Sequence, residues 1–308
     1  NLDNLSGITS NYTFLQADIA NEEIIKKSIN DFKPNVIINF AAESHVDRSI
    51  DSYSDFINTN ILGTINLLDI SLDYWNNYKN DNFKFIHIST DEVYGSLGNE
   101  GSFSEESTYS PSSPYSASKA SSDHFVNSWN KTFGLPTIIT NCSNNYGPFQ
   151  FPEKLIPLMI INALNEDEVP IYGNGENIRD WIHVQDHCDA LIRIIEKGKV
   201  GQKYNIGGNC ERKNIEIVEK ICETIDLLNP RGNNKSYKEL IKFVDDRPGH
   251  DYRYAVNCNK ISDTLGWKPQ INFDNGIERT VKWYVDHSDW WGKIIEKNYN
   301  LERLGTVK

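Results

Sequence analysis

Through the first half of the chain, short runs rich in β-branched and aromatic residues alternate with stretches long enough to be helices, and few architectures accept that rhythm. Thr13-Phe14-Leu15-Gln16-Ala17 is expected to be a strand and Glu22 to Phe32 an amphipathic helix. Val36-Ile37-Ile38-Asn39-Phe40 is nearly continuously apolar, as expected of a strand covered on both faces. A long helical pattern runs from about Ser52 to Trp75, then a strand at Phe83 to Ile88, a helix from about Tyr115 to Phe133 and a strand at Pro136 to Thr140. Strands joined through helices of this length pair in parallel by crossovers, so the expected class is α/β with a doubly wound parallel sheet.

Past Asn141 the rhythm loosens. Gly147-Pro148, Phe151-Pro152, Gly173-Asn174-Gly175 and the run from Asn229 to Asn234 punctuate shorter elements. At 308 residues the chain has room for two domains. The expected division gives residues 1–145 and about 178–206 to the doubly wound unit, and 146–177 and about 207–308 to a smaller mixed α/β unit that binds the substrate. A doubly wound nucleotide-binding unit ordinarily opens with a strand, a Gly-rich turn and a helix, with an acidic residue roughly 20 residues later. This chain opens near that acidic position, at Asp3, so a Gly-rich segment is expected to precede Asn1 in the full-length protein. Gly173-Asn174-Gly175 lacks a third glycine and lies in the wrong half, so it is read as a turn.

Charge narrows the range of partners. Lys and Arg number 31 against 43 Asp and Glu, a net charge of −12. The mean field therefore repels polyanions, and neither nucleic acid nor an anionic membrane is expected as a partner. A small anionic ligand responds instead to local Arg and Lys. The five cysteines (Cys142, Cys188, Cys210, Cys222, Cys258) are widely spaced with no C-x-x-C pair, which favours a reducing, cytoplasmic setting over a disulfide framework or a structural zinc. No apolar run reaches the ~18 residues of a membrane span. His183 and His187 have metal-ligand spacing, but no Glu follows the first and no third ligand stands at a telling distance, so no metal is expected. Trp283, Tyr284, Trp290, Trp291 and Tyr299 are expected to form a C-terminal aromatic core cluster.

The chemistry concentrates in Ser89-Thr90-Asp91-Glu92-Val93-Tyr94-Gly95, directly after a strand, and in Tyr115-Ser116-Ala117-Ser118-Lys119, which opens a helix. Open α/β sheets place their ligands at the carboxyl ends of parallel strands. Tyr115 and Lys119, four apart, share one helix face. A tyrosine is a poor base at neutral pH, and lowering its pKa by about three takes roughly 4 kcal/mol, for which a neighbouring ammonium and a nicotinamide cation are the right kind of source.

Together with Asn39-Phe40-Ala41-Ala42-Glu43-Ser44-His45-Val46-Asp47-Arg48-Ser49, Asn144-Asn145-Tyr146-Gly147-Pro148, Pro152-Glu153-Lys154-Leu155-Ile156-Pro157, Ile178-Arg179-Asp180-Trp181 and Asp246-Arg247-Pro248-Gly249-His250-Asp251, these motifs resemble the extended short-chain dehydrogenase/reductase family, and within it the nucleotide-sugar 4,6-dehydratase branch. The similarity runs through the chain apart from its start and the tail after about Trp291.

The resemblance implies a Rossmann-like sheet with a smaller substrate-binding domain, NAD as cofactor and dTDP-glucose as substrate. The implied reaction is oxidation at C4, elimination of water from C5–C6 and hydride return to C6, giving dTDP-4-keto-6-deoxy-glucose for deoxysugar synthesis of the rhamnose type. Its implied catalytic set is Thr90, Asp91, Glu92, Tyr115 and Lys119. Elimination needs a base for the C5 proton and an acid for the departing hydroxyl, and adjacent carboxyls in a partly desolvated cleft split into ionised and protonated partners. The resemblance makes Asp91 the acid and Glu92 the base. It implies Asp3, Asp18, Ile19, Ala41, Ala42, Thr59, Tyr115, Lys119 and Asn145 as cofactor contacts, with Asp3 on the adenosine ribose. It implies Ser44, Thr90, Asn144, Lys154, Leu155, Pro170, Ile171, Tyr172, Arg179, Asn214, Arg247 and His250 around the nucleotide sugar. Arg179 and Arg247 are the expected diphosphate forks, although Arg179 has the alternative of pairing with a carboxylate of the substrate domain. His45 is expected to position rather than transfer protons. The helices at about 52–75 and 115–133 resemble a dimer seam, so a homodimer is expected. Two other readings stay open on the residues: a UDP-sugar 4-epimerase or decarboxylase, which shares Tyr115 and Lys119 without requiring Asp91, and a non-catalytic module that binds a nucleotide sugar or NAD.

Overall fold

The structure, a computed structural model, describes residues 2–9, 11–232 and 234–298. Tyr299 and the residues after it lie outside that range. Four strands form a parallel sheet in the order β1 (Val36–Asn39), β2 (Lys84–Thr90), β3 (Thr137–Cys142) and β7 (Lys203–Ile206). Because side chains alternate across a strand, Phe85 and Ile139 pack on one face against Leu67, Leu68, Tyr74 and Val126, while Ile86 and Ile138 pack on the other against Ala190, Leu191 and Ile194. The first layer is α1 (Glu22–Phe32), α4 (Thr64–Tyr78) and α5 (Pro114–Phe133); the second is built around α7 (Val184–Lys197). Both faces are therefore covered, as a doubly wound sheet requires.

Local signals place the helices. Asn21 caps α1 by accepting from the Ile24 amide, and α1 spans the expected residues. Ser113 closes a capping box on α5, Pro114 occupies its first turn and Gly134 ends it at φ 76°. The cap fixes where α5 starts, so Tyr115 falls in the first turn and Lys119 one turn further in.

The expected strand at Thr13–Ala17 is instead irregular, with Phe14 and Leu15 about half exposed. Among the described residues no strand pairs with it, and an extended segment without a ladder partner is not held as a strand. The expected helix at Ser52–Trp75 is interrupted. A short α-helical turn, α3 (Ser54–Phe56), leads into a π-helical segment, Ile57–Gly63, before α4. The π-helical segment turns Asn60 inward, where its amide accepts from the Glu43 N–H (2.9 Å) and donates to the Glu43 carbonyl (3.0 Å) and to Ser118 (2.8 Å). This stitches the loop after β1 to α5. Gly63 ends the segment against Ile19, where a Cβ would lie 2.7 Å from that side chain.

The rest of the chain builds a second core from β4 (Asn144–Tyr146), β5 (Val169–Tyr172), β6 (Ile178–His183), β8 (Glu211–Lys213), β9 (Ile241–Val244), α6 (Leu155–Leu164), α8 (Asn214–Leu228), α10 (Phe273–Asp286) and α11 (Ser288–Asn298). Strands β4, β6 and β8 form one small sheet and β5 with β9 another. The segment expected to return over about 178–206 is thus divided: β6 pairs with β4 and β8, while α7 and β7 join the large sheet. Trp283 packs on Phe149 and Trp290, and Tyr284 donates to the Gln150 carbonyl at 2.6 Å, inside this second core.

Candidate active site

At its carboxyl end β2 turns into a 3-10 helix, Asp91–Tyr94, with Thr90 as cap: its hydroxyl accepts from the Glu92 amide at 3.2 Å. Gly95 closes the turn at φ 89°, where a Cβ would lie 2.4 Å from the Ser110 carbonyl oxygen. The turn buries Asp91, which is 1% exposed, and sends Glu92 to the wall of a cleft between the two cores.

The cleft measures about 1020 Å³ counted out to its mouth. Ser44, Asn144, Lys154, Leu155, Pro170, Ile171, Tyr172, Arg179, Asn214, Arg247 and His250 all line it, as does Glu92. Thr90, Asp91, Tyr115 and Lys119 are not on that wall; all four are buried next to it. Around the cleft, Asn144 Oδ1, Asn214 Oδ1, Trp181 Nε1, Arg247 Nε and Asp91 Oδ2 are buried without a hydrogen-bond partner among the described residues. Buried polar atoms are ordinarily satisfied, so a cluster of unsatisfied ones marks a place shaped for a polar ligand.

The two carboxyls have unequal surroundings. Burial, then the charges of Glu92 and Asp180, holds the Asp91 carboxyl well above its usual range. Burial also raises Glu92, but Arg247, Arg179 and Lys154 oppose it. Tyr115 departs from expectation. Burial, and then the Glu92 charge, push its phenol well above its ordinary value, and a hydrogen bond from Thr90 offsets only part of this. The Lys119 ammonium donates to the Ile88 carbonyl at 2.8 Å and sits 3.4 Å from His87 Nε2. Desolvation wins over the favourable charge that the Tyr-Lys spacing suggests.

Sequence reasoning missed what holds these groups. Lys119 is buried over Asp123, a carboxylate that accepts from Ser89 (2.8 Å), Tyr109 (2.8 Å) and Asn141 (3.3 Å). Asp123 lies four residues beyond Lys119, a helical spacing that was legible. Arg247 donates to Asp47 at 2.7 Å, and the other oxygen of Asp47 accepts from the Tyr172 hydroxyl at 3.1 Å. Among the described residues Arg179 makes no bond to a carboxylate: it donates to the carbonyls of Ile178 (2.8 Å) and Asp251 (3.0 Å) and stacks 4.3 Å over the Tyr254 ring. Lys154 donates to the Ser44 carbonyl at 2.7 Å, and His45 Nε2 donates to the Glu153 carbonyl at 3.2 Å, so the loop after β1 grips the second core. His250 stands 2.7 Å from Asp246, yet burial and the charges of Arg247 and Arg179 bring its pKa down to about 4.

The cofactor contacts divide into two groups. The chemistry of the donor set fits a nicotinamide dinucleotide: a phenol and an ammonium on one helix face at the carboxyl ends of β1 and β2, beside the Ala41–Ala42 turn. The Ala41 amide in that turn is fixed by Asn39 Oδ1 at 3.1 Å. Near this turn Ile19 packs on Gly63 and its carbonyl accepts from Asn66 at 2.6 Å. Asp18 accepts from the Ala20 amide at 2.8 Å, and Thr59 lies half-buried in the π-helical segment. Asn145 is tied to the Ser143 carbonyl (3.0 Å) and to His187 Nδ1 (2.8 Å). Asp3 sits apart in a 3-10 turn, Leu2–Leu5, whose Asn4 accepts from the Trp290 indole of α11 at 2.9 Å.

A family model described as GDP-mannose 4,6 dehydratase matches residues 1–280. A probable dTDP-glucose 4,6-dehydratase of Sinorhizobium fredii is 53% identical over 97% of this chain and 85% of that protein. A Bacillus anthracis dTDP-glucose 4,6-dehydratase solved in complex with NAD superposes with a TM-score of 0.82 at 44% identity, covering 96% of this chain and 87% of the other. The Streptomyces venezuelae dTDP-glucose 4,6-dehydratase, solved with NAD and TYD bound, gives 0.86 at 39% identity, over 96% and 86%. The chain belongs to the GDP-mannose 4,6 dehydratase family, and the relatives it matches within that family are dTDP-glucose 4,6-dehydratases.

Proposed function

We infer that this chain dehydrates dTDP-glucose to dTDP-4-keto-6-deoxy-glucose with NAD as cofactor. The observation that carries the reading is the Asp91–Glu92 pair at a polar cleft, one carboxyl buried behind the wall and raised well above its usual range, the other on the wall, where Arg247, Arg179 and Lys154 oppose its rise. An epimerase has no use for that division, and the relatives at about half identity are named as dehydratases.

Bound NAD would supply the acceptor for the C4 hydride and its donor to C6. We assign Tyr115 to take the C4 hydroxyl proton once the Lys119 ammonium and a bound nicotinamide cation offset the burial that raises its phenol, with Thr90 hydrogen-bonded to the same oxygen. The ketone so formed acidifies C5–H, which we assign to Glu92 as base. Asp91, the protonated partner, gives its proton to the departing C6 hydroxyl, and Glu92 then returns its own to C5. We assign Arg247, Arg179 and Lys154 to offset the diphosphate; in an otherwise acidic chain these supply the local positive charge. The alternatives of epimerase, decarboxylase and idle binder lack such a support.

We further propose a cytoplasmic homodimer that feeds rhamnose-type deoxysugar synthesis. The dimer reading draws support from Ile57, Leu62 and Phe133, large apolar side chains left about half exposed on the π-helical segment and α5. Product mass after incubation of the full-length protein with dTDP-glucose and NAD tests the activity. Loss of one water without net NADH is expected, and an unchanged mass with altered stereochemistry overturns it. Light scattering tests the dimer.

A further inference from the structure

A lysine and an aspartate four apart on a helix ordinarily meet, and buried opposite charges ordinarily pair. Lys119 and Asp123 stand at that spacing on α5, both buried, yet among the described residues no bond joins them. The Lys119 ammonium is turned aside to the Ile88 carbonyl at 2.8 Å. Asp123 gives one oxygen, Oδ2, to Ser89, Tyr109 and Asn141, while its other oxygen, Oδ1, has no hydrogen-bond partner among the described residues. Between the two stands the imidazole of His87 on β2, wholly buried. Its Nε2 lies 3.4 Å from Lys119 Nζ and 3.5 Å from Asp123 Oδ1.

We propose that His87 is a positioning residue, a neutral wedge that keeps the Lys119 ammonium from collapsing onto Asp123 and so leaves its charge available to Tyr115, one turn earlier on the same helix face. The inference rests on the reading of Tyr115 as the base. The tautomer of the ring is set from β1. Asn39 Oδ1 accepts from the Ala41 amide at 3.1 Å, which leaves its Nδ2 facing His87 Nδ1 at 3.3 Å and Thr64 Oγ1 at 3.2 Å. An amide nitrogen only donates, so His87 Nδ1 accepts and the ring proton sits on Nε2. That N–H offers no lone pair to the ammonium, and it faces the Asp123 oxygen that nothing else bonds. Lys119 therefore takes the Ile88 carbonyl instead.

The arrangement reconciles two opposed needs. A contact pair would cancel most of the ammonium's field at Tyr115, whereas no counter-charge at all would leave a bare cation in a dry site. With the ring between them, Asp123 still opposes the desolvation that lowers Lys119. Burial and the Lys119 charge keep a second proton off His87. The remaining titratable neighbours of the pair are Cys142 on β3 and Tyr109 from the loop before α5. Burial pushes the Cys142 thiol up to about 12 and the Tyr109 phenol well above its ordinary value, so neither competes as an anion. The contacts from the Ala41 amide through Asn39 also tie the wedge to the turn after β1.

The test uses full-length protein loaded with NAD. In nitrogen-15 histidine spectra the His87 ring, assigned by its loss in His87→Gln, should be neutral and protonated at Nε2, and should stay so from about pH 8 to about pH 5.5. A ring protonated at Nδ1, or charged within that range, overturns the wedge. With dTDP-glucose, the rate of C4 oxidation is followed as transient NADH absorbance. In His87→Leu it should drop at least about tenfold, with its rise toward alkaline pH displaced upward by about one unit or more, as expected when a nearby cation turns away from the base. His87→Gln, which keeps an N–H toward Asp123, should behave as the parent. His87→Leu combined with Asp123→Asn should recover most of the loss, because no carboxylate remains to capture the lysine. A His87→Leu enzyme that oxidises C4 as fast as the parent, or a double variant no faster than His87→Leu alone, overturns the wedge. A parent enzyme that forms no 4-keto-6-deoxy product overturns the dehydratase reading instead, and the histidine spectra still decide the wedge.

Discussion

His187 sits on α7 behind the cofactor side of the site, 7% exposed, and its two ring nitrogens have unequal surroundings. Asn145 Nδ2 donates to the Ser143 carbonyl, which fixes the amide so that Oδ1 faces His187; Nδ1 of the ring therefore carries the proton and donates across 2.8 Å. Nε2 is buried with no partner among the described residues. Protonating it creates a charge in a dry place and an N–H with no acceptor, and desolvation brings the pKa down to about 4 from 6.5. Since the folded state binds this proton less readily than the unfolded chain, the neutral ring's contribution is fully present above about pH 6.5 and is lost as pH falls toward 4. The whole difference is about 3 kcal/mol, of which about 2 kcal/mol is expressed between about pH 7.5 and pH 5. Urea unfolding of the parent and of His187→Gln at those two pH values isolates the contribution. The variant loses packing and is expected to be weaker at the higher pH, but its stability should fall by about 2 kcal/mol less than the parent's on acidification. An equal fall in both proteins would refute the assignment of tautomer and burial.

Asp91→Asn should slow dehydration by about 10² to 10⁴, the usual worth of a positioned acid, while transient NADH absorbance shows that C4 oxidation survives; full activity would remove Asp91 as the acid. Because a carboxyl raised by burial costs stability increasingly as pH climbs above its unfolded value, the same variant should unfold at a urea concentration no lower than the parent's at mildly alkaline pH. The rate of the parent should rise through the raised Glu92 titration and fall through that of Asp91, and in Asp91→Asn the alkaline limb should vanish from the pH profile. Asp47→Ala leaves the largely buried Arg247 without its carboxylate and Tyr172 without that partner. It should cost about 3 kcal/mol in urea unfolding and raise KM for dTDP-glucose, and an unchanged KM would show that Arg247 needs no positioning.

The large sheet was legible because each of its middle strands is a short apolar run bounded by helix signals, and the caps of α1 and α5 are written in Asn21, Ser113, Pro114 and Gly134. Thr13–Ala17 has strand composition but no partner, and pairing is not a local property. The π-helical segment was invisible because residues 57–63 carry an ordinary helical pattern. What turns Asn60 inward is Glu43 and Ser118, which lie far off in sequence. The substrate-side residues came from the family resemblance, and all but Thr90 line one cleft. Their supports were not found, since Asp47 and Arg247 meet across 200 positions. The direction of the Tyr115 shift also depends on how dry the site is, which spacing alone does not reveal.

The π-helical segment bears on how this region tolerates change in length. In an α-helix each residue advances the side chain by about 100°, so a uniform helix from Ser54 to Tyr78 keeps one angular phase from end to end. Here two phases are joined: the residues before Asn60 and those from Thr64 onward face their neighbours correctly only because the wider turn between them takes up the offset. Deleting one residue between Ile57 and Gly63 would let an ordinary helix run through. With the extra residue gone there is no offset left to absorb, so the flanks keep their faces, and what is lost is the wide turn that brings the Asn60 amide to Glu43 and Ser118. The segment thus behaves as a phase coupling between the sheet's first loop and the helix that bears Tyr115. It is expected to accept substitutions on its outer face far more readily than the loss or gain of a single residue.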